Sequence, residues 1–196
     1  MTLRLIAGLG NPGAEYSRTR HNAGFWFIEA LAEHLDVRFG LESKLLAEVA
    51  KARVGGENLL LVKPLTFMNR SGQSLSALLR YYKIDAEEML VAHDELDLPP
   101  GIARLKYDGG HGGQNGLRDT IAHLGHARFH RLRIGIGHPG HKAAVQPWVL
   151  GDFSKAEREW LTPLLEAIAD NADCLVAGDE ANFMNRVALA TSGQDD

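Results

Sequence analysis

Four apolar runs of this 196-residue chain are each followed by a polar side chain able to bind a ligand or move a proton. "LRLIAGLG" (3–10) leads to Asn11, and "NLLLVKP" (58–64) runs through "LTFMN" to Asn69. "EMLVAH" (88–93) leads to Asp94, and "RLRIGIG" (131–137) to His138 and Pro139. His21 directly precedes a helical pattern. A histidine can accept a proton and a carboxylate can orient it, so His21 with Asp94 could activate water directly. Asparagine amides donate and accept hydrogen bonds without adding charge, which suits them to hold a carbonyl or a ribose hydroxyl. Other familiar arrangements are missing: the chain has no G-x-S-x-G, no H-E-x-x-H and no cysteine near a histidine. His93 and Asp94 are neighbours on an extended segment and point to opposite sides, so they make a poor joint metal site. No metal is expected.

Those residues can meet only if the elements behind them are arranged to bring them together. Parallel strands would open their carboxyl ends on one crevice, where ligands bind in open α/β sheets. "NAGFWFIEALAEHLD" (22–36) places Phe25, Ile28, Ala32 and Leu35 on one helical face, with Asn22 as the expected N-cap. "LAEVAKARV" (46–54) and "NLLLVKP" flank "GGE" as a hairpin. "SGQSLSALLRYYK" and "NGLRDTIAHLG" (115–125) have helical spacing, while "EMLVAH", "IARLKY" (102–107) and "RLRIGIG" read as short buried strands. After Ser154 a capping box, "SKAE", opens another helix. No repeat or linker divides the chain. The expectation is a single-domain three-layer α/β/α fold over residues 1–190, with a twisted, mostly parallel mixed sheet. The tail "TSGQDD" (191–196) is expected to be disordered.

"GLGNPG" (8–13) fits G-x-G-x-x-G, but its context is wrong for a dinucleotide site. In that motif the third glycine opens the helix, and an acidic residue closes the next strand about 20 residues on. Here Gly13 is followed by the polar, aperiodic "AEYSRTRH", and the next strand pattern starts near residue 46. The glycines instead make a turn that presents Asn11.

The net charge of −4 hides an asymmetry. Residues 152–196 hold ten acids and three bases, net −7, whereas residues 1–151 hold eighteen bases and fifteen acids, net +3. Residues 98–147 hold seven bases against Asp108 and Asp119, and six of the nine histidines. Such a division points to a basic face for a polyanion. No apolar run is long enough to span a membrane. The short N-terminal apolar stretch ends in a glycine turn, so no secretory leader is expected. Cys174 is the one cysteine; lying in "NADCLVAG" it reads as a core thiol in a cytosolic protein.

"GLGNPG", "TRHNAG", "KPLTFMNRSG", "HDELDLPPG", "GGHGGQNGLRD" and "RLRIGIGHPG" occur in that order, and together they resemble the bacterial peptidyl-tRNA hydrolases. The resemblance covers roughly residues 3–150 and continues into the acidic helical end. It implies a monomeric cytosolic esterase, without metal or cofactor, that cuts the ester joining a peptide to the tRNA 3′ ribose. Carried over by position, it makes His21 the catalytic base and Asp94 the residue that orients it. Asn11 would contact the peptidyl side and help tell peptidyl-tRNA from free aminoacyl-tRNA. Tyr16, Phe67, Asn69 and Asn115 match positions that bind the tRNA end. Phe67 and Met68 suit either an apolar wall or the core. Lys106, Arg131, Arg133 and Lys142, with Arg104, are candidate phosphate contacts, and His111 a further binding candidate. One departure is Gln114, where the family often has histidine; glutamine can hydrogen-bond but cannot be protonated. Two other classes stay open: a non-catalytic RNA-binding module, and a peptidase or nucleoside-processing enzyme on a related sheet.

Overall fold

The computed structural model describes residues 2–192. Its centre is β1 (Leu5–Gly8), buried along its whole length, as a strand flanked by parallel neighbours and covered on both faces must be. A loop of 3-10 turns leads from it to α1 (Ala23–His34). The short β2 (Gly40–Glu42) precedes the hairpin of β3 (Ala47–Val54) and β4 (Glu57–Pro64), which turns at Gly55 and Gly56 as the sequence indicates. Then come α2 (Ser71–Tyr82), β5 (Met89–Glu95), β6 (Ala103–Tyr107), α3 (Asn115–Leu124) and β7 (His130–Gly135). The short α4 (Val145–Val149) is followed by α5 (Lys155–Asp170), α6 (Ala172–Ala177) and α7 (Glu180–Ser192).

The strands form one sheet in the order β2-β3-β4-β1-β5-β7-β6. β4, β1, β5 and β7 are parallel neighbours; β3 and β6 pair antiparallel with them at the two sides. The two-residue side-chain period sorts the core into two layers. Ile6, Leu61, Leu90 and Leu132 face α1, α5, α6 and α7, while Leu5, Val62, Met89 and Val91 face α2 and α3. The fold is the expected α/β/α sandwich.

Several local expectations need correction. "IARLKY" is not a buried strand: β6 is the sheet edge, antiparallel to β7, and mostly exposed beyond Ala103. Asn22 stands at the start of α1, but its side chain caps nothing there. Thr191 and Ser192, placed in the disordered tail, complete α7; residues 193–196 lie outside the described residues. The Ser154–Glu157 capping box does open α5, and Cys174 is buried as a core thiol.

Candidate active site

The site begins with close backbone packing. A β-carbon on Gly8 would lie 2.1 Å from the carbonyl oxygen of Gly24, and one on Gly24 would lie 2.4 Å from that of Ala92. Only glycines let the first turn of α1 rest directly on β1 and β5. Gly8, Gly10 and Gly24 therefore serve helix-on-sheet contact, whereas Gly13, at φ 108° with open space around it, makes the turn after Asn11. The turn before α1 lies against the end of β5.

That contact brings His21 and Asp94 together across 73 residues of sequence, with Nδ1 of His21 at 2.9 Å from Oδ2 of Asp94, both buried. A carboxylate can only accept, so Nδ1 carries the proton and Nε2 keeps its lone pair. Burial works to lower the affinity of His21 for a second proton. The charge of Asp94, and then its hydrogen bond, outweigh burial and hold the imidazole above its ordinary value of 6.5. Burial likewise works to raise Asp94, but His21 and a hydrogen bond from Gln114 keep its carboxyl below the ordinary range. His93 points away, as its place on the strand requires. Its Nδ1 donates to the carbonyl of Asp94 at 2.8 Å, and burial pushes it down to about 4, so it stays neutral.

The pair opens on a cavity of about 580 Å³ lined by Asn11, Tyr16, Phe67, Met68, Asn69 and Asn115, with Val145 and Val149 from α4. Asn11 is fixed on both sides. The Asn22 side chain accepts from its N–H at 2.8 Å and donates to its carbonyl at 3.0 Å. Asn11 Oδ1 in turn accepts from the Met68 N–H at 2.7 Å, which leaves its amide NH₂ for a ligand. Asn69 and Asn115 are exposed, and their side chains have no hydrogen-bond partner among the described residues. Phe67 has φ 63°, a strained conformation for a residue other than glycine, and presents an exposed ring edge-to-face with Tyr16 at 6.2 Å. Met68 is buried and still lines the cavity, so it belongs to the core and the wall at once.

Not every predicted residue gathers here. His138 is exposed and turns back on its own loop, where its Nδ1 accepts from Gly140 N–H. His111 does the same with Gly113 and does not line the cavity. Arg131 is corrected as a phosphate contact: its side chain is buried, and its guanidinium donates to the carbonyls of Gly109 and Gly110. It anchors the glycine-rich loop that leads to Gln114 and Asn115. Lys106, Arg104 and Lys142 are exposed, and Arg133 half-buried; Arg104 stands opposite Arg133 across the β6–β7 pair. Arg133 Nη1 lies 3.9 Å from Glu95 Oε1, so its charge is partly met within the protein, while Arg104 has no carboxylate beside it among the described residues.

Some site features left no sequence signal. Arg20 forks onto both oxygens of Glu157 at 3.0 and 2.7 Å, donates to the Trp148 carbonyl at 2.9 Å, and stacks on the Trp148 ring. It thereby fixes the wall helix α4 to α5 and to the His21 turn. A groove of similar size, about 610 Å³, lies between β6, α5 and α7 but contains no histidine or paired carboxylates. Among the described residues no group of three or more His, Cys, Asp or Glu side chains could hold a metal ion.

Known proteins resemble this chain along nearly its whole length. The family model described as peptidyl-tRNA hydrolase matches residues 5–195. A peptidyl-tRNA hydrolase of Xanthomonas campestris pv. campestris is 60% identical over 181 residues, 92% of each chain. One from Stenotrophomonas maltophilia is 57% identical over 185 residues, 94% of this chain and 96% of that one. The crystal structure of peptidyl-tRNA hydrolase from Acinetobacter baumannii superposes with a TM-score of 0.90 at 45% identity, covering 94% of both chains. With a matching sequence along nearly its full length and a matching fold beneath it, this chain belongs to the peptidyl-tRNA hydrolase family.

Proposed function

We propose that the cavity hydrolyses the ester between a peptide and the 3′ ribose of tRNA, with His21 as general base. One observation carries this reading: a histidine whose Nδ1 is held by the buried Asp94 lines a cavity ringed by asparagine amides. His21 Nε2 takes a proton from water, and the resulting hydroxide oxygen bonds to the ester carbonyl carbon. When the carbon–oxygen bond to the ribose breaks, the proton on His21 passes to the departing ribose oxygen, giving a free peptide and a free tRNA. Asp94 stabilises the transient imidazolium. The amides of Asn11, Asn69 and Asn115 hold the carbonyl and the ribose hydroxyls, with Asn11 on the peptidyl side. Tyr16 and Phe67 offer faces to the terminal base of tRNA.

The exposed Lys106 and Arg104, with Arg133, supply phosphate contacts along the β6–β7 edge, and Lys142 supplies one from the segment after β7. His111, in the glycine-rich loop between β6 and α3, is a further candidate contact. The protein on this reading is a monomer working in the cytoplasm to return tRNA to translation, and its single cysteine is buried and unpaired, as a reducing compartment allows. No helix of the described residues is long and apolar enough to cross a membrane.

Incubation with N-acyl-aminoacyl-tRNA and with free aminoacyl-tRNA tests the reading. Release of tRNA from the first and not the second is expected. Release from neither would favour an RNA-binding module; equal release would remove discrimination by Asn11.

A further inference from the structure

Gln114 is an unusual residue for the place it occupies. It is the N-cap of α3, where Ser, Thr, Asp and Asn are the ordinary choices because a short side chain reaches the free backbone donors. Gln114 does cap: its Oε1 accepts from the Leu117 N–H at 2.8 Å. Its extra length lets the other end of the amide travel further. Nε2 donates to Asp94 Oδ1 at 3.0 Å and to the Met68 sulfur at 3.3 Å. Both amide hydrogens and the oxygen are thus engaged, which fixes the orientation of the group.

The three partners belong to the three segments that build the site. Asp94 lies one residue before the end of β5 and holds His21; Met68 sits between Phe67 and Asn69; α3 begins with Asn115. The contact is closely packed on its Gly116 side, while Gln114 itself is half-buried and lines the cavity. A β-carbon on Gly116 would come within 2.7 Å of both Leu9 and the Met68 sulfur, and 3.0 Å of Gln114 Oε1. We propose that Gln114 is a positioning residue for the hydrolysis, locking Asp94, the Met68 turn and the start of α3 into one frame. This rests on the reading of His21 as the base.

The lock has a consequence for proton transfer. Asp94 divides its two oxygens between His21 and Gln114. Without the amide, the carboxylate charge is less satisfied and holds an imidazolium at His21 more tightly. Few other ionisable groups act on the pair: Asp94 on His21, and His21 and the neutral His93 on Asp94; Glu95 is the next residue along the strand.

The test uses Gln114→Met, which keeps the length and removes the amide, and Gln114→Glu, which keeps an acceptor for Leu117 but sets a second carboxylate against Asp94. The readouts are kcat and KM on N-acyl-aminoacyl-tRNA across pH, and the His21 ring titration followed by NMR. For Gln114→Met a fall in kcat of about 10–100-fold with little change in KM is expected. The His21 midpoint should move upward in both variants, further for Gln114→Glu, by about one pH unit or more. His21→Ala, run beside them, separates the two claims. If His21→Ala is inactive while a folded Gln114 variant keeps the parent kcat and His21 midpoint, Gln114 has no positioning role. If His21→Ala is fully active, the base assignment fails and this proposal falls with it.

Discussion

Asp94 is a buried carboxylate that spends neither of its oxygens on the backbone; one goes to His21 and the other to Gln114. Burying a charge is costly unless it is paired, so the pair is one electrostatic unit and should titrate as one. If His21 is the base, it must be neutral to work, and its affinity for a proton is raised, so the ascending limb of kcat/KM against pH should have its midpoint above 6.5. Asp94→Asn removes the charge that raises His21 and leaves the burial that lowers it. The midpoint should then move below 6.5. Turnover on the plateau should fall by about 100-fold or more, because an amide neither stabilises imidazolium nor selects the tautomer. A limb that stays in place in the folded variant would separate Asp94 from the base.

The elements are held in register by backbone approach more than by side-chain choice. Gly24→Ala would press a β-carbon against the Ala92 carbonyl at 2.4 Å and the Leu9 backbone, where no flexible side chain can yield. The expected loss is about 2 kcal/mol or more, lowering Tm by roughly 4 °C or more in a chain of this size. Because the same contact sets the His21–Asp94 distance, activity per folded molecule should fall as well. An unchanged melting curve would contradict this packing. The helices and the hairpin were legible in the sequence because apolar periodicity and a two-glycine turn are local signals. β6 was not, since "IARLKY" looks the same whether it is covered on both faces or stands at the edge, and only pairing with β7 decides. For the same reason the sequence pointed to Asn22 as a cap, although its amide is occupied with Asn11, a partner eleven residues away that only the folded loop brings near. His21, Asp94 and the asparagines were legible through strand ends and motif order. The joints between them, Gln114, Arg20 and Arg131, were not, because each acts through contacts with residues distant in the chain.

Across the whole molecule the charge is divided: net +5 over residues 98–147, from seven bases and two acids, against net −7 after residue 151. If the β6–β7 edge holds tRNA phosphates, binding releases counterions and weakens as salt rises. Alanine at Lys106, Arg133 or Lys142 should each lower the log–log salt slope by about one unit or slightly less, raising KM and sparing kcat. Arg131→Ala should behave differently, losing stability and kcat, because its guanidinium holds the Gly109–Gly110 carbonyls inside the protein. Unchanged slopes in all three variants would move the tRNA elsewhere. On this reading phosphate grip and chemistry occupy different parts of the surface, and His21 should belong to the chemistry alone. The most direct test is kcat and tRNA affinity of folded His21→Ala on N-acyl-aminoacyl-tRNA. A fall in kcat of about 10²–10⁴-fold with affinity nearly unchanged is predicted; near-normal turnover would contradict the account.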